Sequence, residues 1–176
     1  MLLIMLLVFI VISVLFITKG TKVVPQNEVM IVERLGRYNG TLHPGLHFII
    51  PVIDQVRTIP WQYNYKDKYN NLHSEIRNIR TIPLSQNIFY LLNHSIVTKS
   101  NYKIGLDVII TYVVADPVML VYNVASLPMT FERLTDRTLG NLDLQDISAA
   151  ALFKVLREET EKFGIKIIDV DIKNVK

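Results

Sequence analysis

Apolar residues follow different rules in different parts of this chain. From Met1 to Ile17 they are continuous, with Ser13 the one polar residue. Between Glu28 and Val114 they come in short runs with a period near two, the mark of strands that bury one face. After Asp116 they recur at three- and four-residue steps, the mark of amphipathic helices.

The first run predicts a membrane helix. At about 1.5 Å per residue it covers roughly 25–27 Å, close to the hydrocarbon thickness of a bilayer. Leu2, Leu6, Phe9, Val14, Phe16 and Ile17 are the residues expected to hold it in lipid. A cleaved signal peptide would want a basic n-region and a small-x-small cleavage site, and neither is present. A re-entrant or interfacial hairpin is a further alternative, and a single spanning signal-anchor is preferred. Lys19 and Lys22 flank the C-terminal end of the run, so the positive-inside rule places the domain beyond it on the cytoplasmic side.

Thr18 to Asn27 reads as a short polar connection. Glu28 to Arg34 is expected as a strand, Leu46 to Ile50 as another stopped by Pro51, and Val52 to Ile59 as the next. Gly36 and Gly40 fall in a loop. His43-Pro44-Gly45 suits a type II turn, because Pro fixes φ at the first central position and Gly accepts positive φ at the second. Trp61 to Asn78 is polar and tyrosine-rich without a clean period. Val56-Arg57-Thr58-Ile59-Pro60 recurs as Ile79-Arg80-Thr81-Ile82-Pro83, either a coincidence of strand ends or a local duplication.

Ile96 to Thr98 and Tyr102 to Val114 are expected strands. In the latter, Tyr102, Ile104, Leu106, Val108, Ile110 and Tyr112 share one face, opposite Lys103, Gly105, Asp107 and Thr111. Asp116-Pro117 then begins a short helix, with Asp as N-cap and Pro at the first helical position, where a missing N–H costs nothing. Ser126-Leu127-Pro128 begins a second in the same manner, ending near Gly140, with Leu127, Phe131 and Leu134 as its buried stripe. A last helix is expected from Asp143 or Leu144 to Lys162. Its apolar side carries Ile147, Ala151, Leu152, Val155, Leu156 and Phe163. Ile165 to Val175 closes the chain as a strand whose apolar residues are mixed between both faces. Strands first, helices later and a returning strand predict an α+β fold, with a curved, mostly antiparallel sheet and helices on one side.

Composition narrows the function by exclusion. At 176 residues, one domain plus an anchor is the natural count. The formal net charge is +3, with every charge at or after Lys19. Basic residues are scattered among acidic ones and do not alternate with aromatics, so no nucleic-acid surface is expected. An anionic lipid surface is a better use for a small positive excess. The absence of cysteine excludes disulfides, thiolate metal sites, cysteine nucleophiles and palmitoylation. His43 and His47 have the spacing of helical metal ligands, but Pro44-Gly45 between them argues against a helix. Asp169 and Asp171 read as a solvated strand edge. No serine sits in a G-x-S-x-G frame, and there is no G-x-G-x-x-G or P-loop. No catalytic residue, cofactor or metal is expected, and the chain is not read as an enzyme. Asn39-Gly40-Thr41 and Asn93-His94-Ser95 are formal glycosylation sequons that stay silent if the domain is cytoplasmic.

The order of short motifs carries more than any of them alone. Val24-Pro25-Gln26-Asn27-Glu28-Val29, Glu33-Arg34-Leu35-Gly36-Arg37, Leu42-His43-Pro44-Gly45-Leu46-His47-Phe48 and Ile50-Pro51 together resemble the start of a stomatin/prohibitin (SPFH, band 7) domain. Asp116-Pro117 followed by Tyr122-Asn123-Val124 is similar to that family's turn into helix. Phe163-Gly164-Ile165 followed by Val170-Asp171-Ile172 is similar to its closing helix-to-strand step, where a tryptophan often replaces Phe163. The resemblance runs from about Val24 to the C-terminus. It marks Gly36, Pro44, Gly45, Pro51, Asp116, Pro117 and Gly164 as structural motif positions, and Trp61 to Asn78 as an insertion.

The resemblance implies a membrane-anchored scaffold that oligomerises and organises membrane microdomains, or modulates membrane proteins such as proteases or channels. Implied partners are the lipid bilayer, further copies of the chain or related SPFH proteins. Many relatives continue into an Ala/Glu/Arg-rich coiled coil, and no heptad region is present here. The alternative is a monomeric, membrane-tethered adaptor that recognises one partner through residues 61–78.

Overall fold

With neither glycine nor proline to interrupt the apolar run, the first helix extends beyond it. The computed structural model describes residues 1–69, 72–143 and 145–175. In chain order the elements are α1 (Leu2–Gly20), β1 (Thr21–Val24), β2 (Glu28–Arg34), β3 (Arg37–Leu42), β4 (Gly45–Phe48), β5 (Asp54–Val56), β6 (Ile59–Lys66), β7 (Leu72–Ile79), β8 (Ile82–Pro83), β9 (Asn87–Val97), β10 (Lys103–Val114), α2 (Pro117–Asn123), α3 (Leu127–Gly140), α4 (Ala149–Glu161) and β11 (Ile165–Val175). The fold is α+β with antiparallel sheets, as expected. Two compact units emerge: Met1–Thr58 with Arg80–Ile82, and Ile59–Ile79 with Pro83–Lys176. The chain crosses between them within the two copies of the Arg-Thr-Ile-Pro repeat.

In the first unit β2 lies between β3 and β5, and β8 also pairs with it. Val29 to Val32 are all buried, so this strand is covered on both faces. The sequence predicts a glycine loop after Arg34, but the structure has a two-residue hairpin leading into β3. Leu35 and Gly36 both take positive φ, 49° and 79°, as the twist of a tight hairpin demands. The expected polar connection over Thr18–Asn27 is instead the end of α1 and strand β1, which pairs with β4. At His43-Pro44 the chain bends, and Gly45 enters β4 at φ 130°.

In the second unit β10 is the central strand, between β9 and β11. Leu106, Val108, Ile110, Tyr112 and Val114 are buried from its one face. The mixed pattern of β11 has a single cause. Thr111 pairs with Asp169 and Tyr112 with Ile167, so Ile168 is an extra, exposed residue in a β-bulge. The bulge shifts the buried face from Ile165 and Ile167 to Val170. Helix α4 packs on β11, and α3 packs on α4, β9 and β6. Phe131 of α3 meets Phe89 and Tyr112 at ring distances of 5.2 and 5.1 Å, and Tyr112 meets Trp61 at 5.9 Å. This burial pushes the Tyr112 phenol pKa up.

Both proline-marked helix starts are as expected: Asp116 accepts from the N–H groups of Val118 and Met119, and Ser126 from Met129. On α3 the stripe is Leu127, Phe131, Thr135 and Leu139, with Leu134 half-buried beside it. The last helix begins at Ala149, later than expected, because Ser148 caps it through the Ala151 N–H. Of the two expected starts, Asp143 is not helical and Leu144 lies outside the described residues, as do Asn70 and Asn71 of the expected insertion and Lys176.

Candidate functional site

Helix α1 has 19 residues, so at about 1.5 Å each it is roughly 28 Å long and able to cross a membrane by length and composition. The expected anchor residues Leu2, Leu6, Phe9, Val14, Phe16 and Ile17 are all exposed and pack against no core. Hydroxyls near and within this span turn back on the helix. Ser13 donates to Phe9 O and Thr18 to Val14 O, both at 2.9 Å, and Thr21 to Ile17 O at 2.7 Å. Such bonds matter where no water can serve as partner.

The foot of α1 is seated on β4. Gly20 is buried, and its carbonyl accepts from the Ile49 N–H at 2.8 Å. A Cβ at Gly20 would stand 2.6 Å from Phe48 Cε2 and 2.7 Å from Ile49 O, so only glycine fits without a backbone shift. Sequence reasoning did not single out Gly20. Its signal, a glycine at the end of an apolar helix, is also that of an ordinary helix stop.

A second fastening holds the Pro51 turn. Arg34 grips Asp54 with Nε–Oδ1 at 2.7 Å and Nη2–Oδ2 at 3.1 Å, while the Ile50 N–H donates to Asp54 Oδ2 at 2.9 Å. Asp54 is buried and Arg34 is exposed. The Arg34 guanidinium, and after it the Ile50 N–H, holds the Asp54 carboxyl pKa below its ordinary value. Pro44 and Gly36 sit on exposed bends, and Gly45 heads the strand that receives α1. In the second unit Asp116 and Pro117 start α2. Gly164, at φ 72°, accepts from the Ala115 and Asp116 N–H groups at 2.8 and 2.9 Å.

Of the two histidines flanking Pro44-Gly45, His47 has its Nε2 2.6 Å from the His43 carbonyl oxygen. His73 Nε2 lies 3.2 Å from Asp67 Oδ2, and His94 on β9 has two carboxylate neighbours. Its Nε2 lies 2.5 Å from Asp136 Oδ1 and its Nδ1 3.9 Å from Glu132 Oε1, both on α3. These side chains could hold a cation, yet the carboxylates reach opposite ring nitrogens, which is the geometry of a clamped imidazole. Glu132 and Asp136 are legible as a helical i, i+4 pair, but nothing local joins them to His94.

The region expected as an insertion forms the hairpin β6–β7. It begins in the core, with Ile59 and Trp61 buried, and ends with Tyr63 and Tyr65 exposed. Arg77 lies over the Tyr63 ring at 5.4 Å, and Tyr65 stacks with His73 at 5.6 Å.

The family model for the SPFH domain / Band 7 family matches residues 22–176, and the chain belongs to that family. It is 24% identical to an uncharacterized protein of Mycobacterium tuberculosis, over 98% of this chain and 42% of that protein. It is 26% identical to a stomatin homolog of Pyrococcus horikoshii, over 92% of this chain and 56% of the relative. To the mitochondrial stomatin-like protein 2 of Bos taurus it is 24% identical, over 86% and 39%. The chain thus spans less than two thirds of each of these relatives.

Proposed function

We propose that this protein is a membrane-anchored scaffold, not an enzyme, that self-associates or co-assembles with related SPFH proteins on the cytoplasmic face of a membrane. There it organises lipid microdomains or modulates membrane proteins such as a protease or a channel. The seat of α1 carries this reading. A flexible tether would leave the domain free, whereas Gly20 locked against Phe48 and Ile49 fixes the first unit to its anchor. Fixed orientation favours lateral contacts, since each copy then presents the same edge at the same height. Light scattering on the full chain in mild detergent and in nanodiscs tests it. A discrete oligomer is the expected result, and a monomer at micromolar concentration in both media overturns self-association.

One observation favours the adaptor alternative. The exposed tyrosines of β6, with Arg77 over one of them, are residue types that concentrate binding energy at interfaces. Replacing Tyr63 and Tyr65 by alanine separates the readings. An adaptor loses its partner with its size unchanged, while a scaffold keeps its assembly.

A further inference from the structure

Beside the foot of α1 the first unit has an open cleft of about 550 Å³. That lies within the roughly 300–1,000 Å³ usual for small-ligand sites. Lys19, Lys22 and Arg80 line it on the polar side, and Val23, Met30, Ile49 and Val56 on the apolar side. Among the described residues, none of these cations has a carboxylate partner. Asp54 also lines the cleft, but both its oxygens are taken by Arg34 and one also by the Ile50 N–H. The C-terminal end of a helix is the wrong pole for an anion, so attraction must come from the side chains.

The strand that carries Lys22 is also oriented unlike one facing water. On β1, Lys22 is half-buried and Val23 is 67% exposed. Val23 pairs with Leu46 and Thr21 with Phe48, which puts Val23, Leu46 and Phe48 on one face of the β1–β4 ribbon. Leu46 and Phe48 are 72% and 60% exposed. An apolar outward face beginning where a membrane helix ends suits the bilayer interface.

We propose that this cleft binds the phosphate headgroup of an anionic glycerophospholipid, with Lys19, Lys22 and Arg80 on the phosphate and Met30, Ile49 and Val56 against the glycerol and upper acyl chain. The inference rests on the reading of α1 as a membrane anchor, which puts Lys19 and Lys22 at headgroup depth. The apolar half of the cleft decides for a lipid: free phosphate has no use for it. Anionic lipids on a cytoplasmic leaflet supply the ligand class.

Native mass spectrometry tests the site, using the full chain in neutral detergent with dioctanoyl phosphatidylglycerol, dioctanoyl phosphatidylcholine or inorganic phosphate. The full chain is expected to retain one phosphatidylglycerol in preference to phosphatidylcholine, and to bind inorganic phosphate weakly. Lys22→Gln with Arg80→Gln should lower that preference about tenfold or more, given the attraction usual for two basic side chains near anionic lipid. Lys22→Arg with Arg80→Lys, which keeps both charges, should retain it. Lys154→Gln with Lys166→Gln, the same charge change on exposed residues of the second unit, should also leave it intact. Equal retention of both lipids, or an equal loss in the control pair, overturns the site. Inorganic phosphate bound as tightly as the lipid overturns the lipid assignment. Insertion of the full chain into pure phosphatidylcholine nanodiscs is scored separately. If it fails, the anchor reading falls; if it succeeds without a preference for phosphatidylglycerol, only the headgroup site falls.

Discussion

Gly36 and Gly164 have nearly the same backbone conformation, φ 79° and 72°, but different surroundings. Nothing lies within 4 Å of a Cβ built at Gly36, whereas one at Gly164 would stand 2.4 Å from the Asp116 carbonyl oxygen. An alanine at either position meets the left-handed penalty of about 1–2 kcal/mol. At Gly164 it must also push away the start of α2, which hangs on the Gly164 carbonyl through the Ala115 and Asp116 N–H groups. Gly36→Ala is therefore expected to cost about 1 kcal/mol and Gly164→Ala roughly 3 kcal/mol or more. Urea denaturation of the full chain in detergent checks both, and equal losses would show that φ alone decides. Both glycines are visible in the sequence as motif positions. What distinguishes them is not, because the atom that crowds Gly164 belongs to a residue far earlier in the chain. The same holds for Arg34 and Asp54, whose pairing no local pattern announces, whereas the caps Asp116 and Ser126 act on residues two and three positions on and were readable.

At the scale of elements, the outer edge of β9 at Ile88 and Tyr90 is closed by side chains in place of a strand ladder. Gln62 of β6 donates through Nε2 to the Tyr90 carbonyl and accepts the Tyr90 N–H at Oε1, each at 2.8 Å. Asn64 donates to the Ile88 carbonyl at 2.9 Å. Amides can do this because each carries a donor and an acceptor at the separation a peptide group presents. An unpaired strand edge invites association with other chains, so the arrangement is protective as well as stabilising. Gln62→Ala should cost about 1–3 kcal/mol, since it leaves a part-buried N–H and C=O without partners. Gln62→Glu should also destabilise, because it removes the donor to the Tyr90 carbonyl. Hydrogen exchange at the Tyr90 amide reads the effect directly, and unchanged protection in both variants would contradict it. The role of this polar segment was hidden for a physical reason: its amides bond to backbone, which leaves no hydrophobic period. Strand β3 was hidden likewise, with its first three residues exposed. Strand β10 was legible because one face is buried throughout its second half, and β11 was ambiguous because one bulged residue, Ile168, inverts its alternation.

For the molecule as a whole, the run of strands, then helices, then a returning strand was sufficient for the α+β class, and the order of short motifs for the family. The division into two units was not: the sequence changes character at Trp61, beside the first crossing, but nothing local joins residues 59–79 to the unit that resumes at Pro83. The side of the membrane on which these units lie rests on Lys19 and Lys22. Orientation follows the lysine and arginine bias close to the ends of the span and counts acidic residues little. Lys19→Gln with Lys22→Gln, combined with lysines added before Met1, should therefore invert a fraction of the molecules, while the unaltered chain keeps one orientation. The chain carries its own reporters. Asn39 and Asn93 are both exposed within their sequons, so on the lumenal side of microsomes an acceptor enzyme could reach them. In the unaltered chain neither should be modified. In the inverted variant a glycosidase-sensitive increase in mass should appear, and Asn39→Gln with Asn93→Gln should abolish it. Modification of the unaltered chain would place the domain outside the cytoplasm and with it the cationic cleft, because Lys19, Lys22 and Arg80 would then face the leaflet that is poorer in anionic lipid. Orientation and headgroup binding thus draw on the same lysines, and a chain that inverts should also lose its source of ligand.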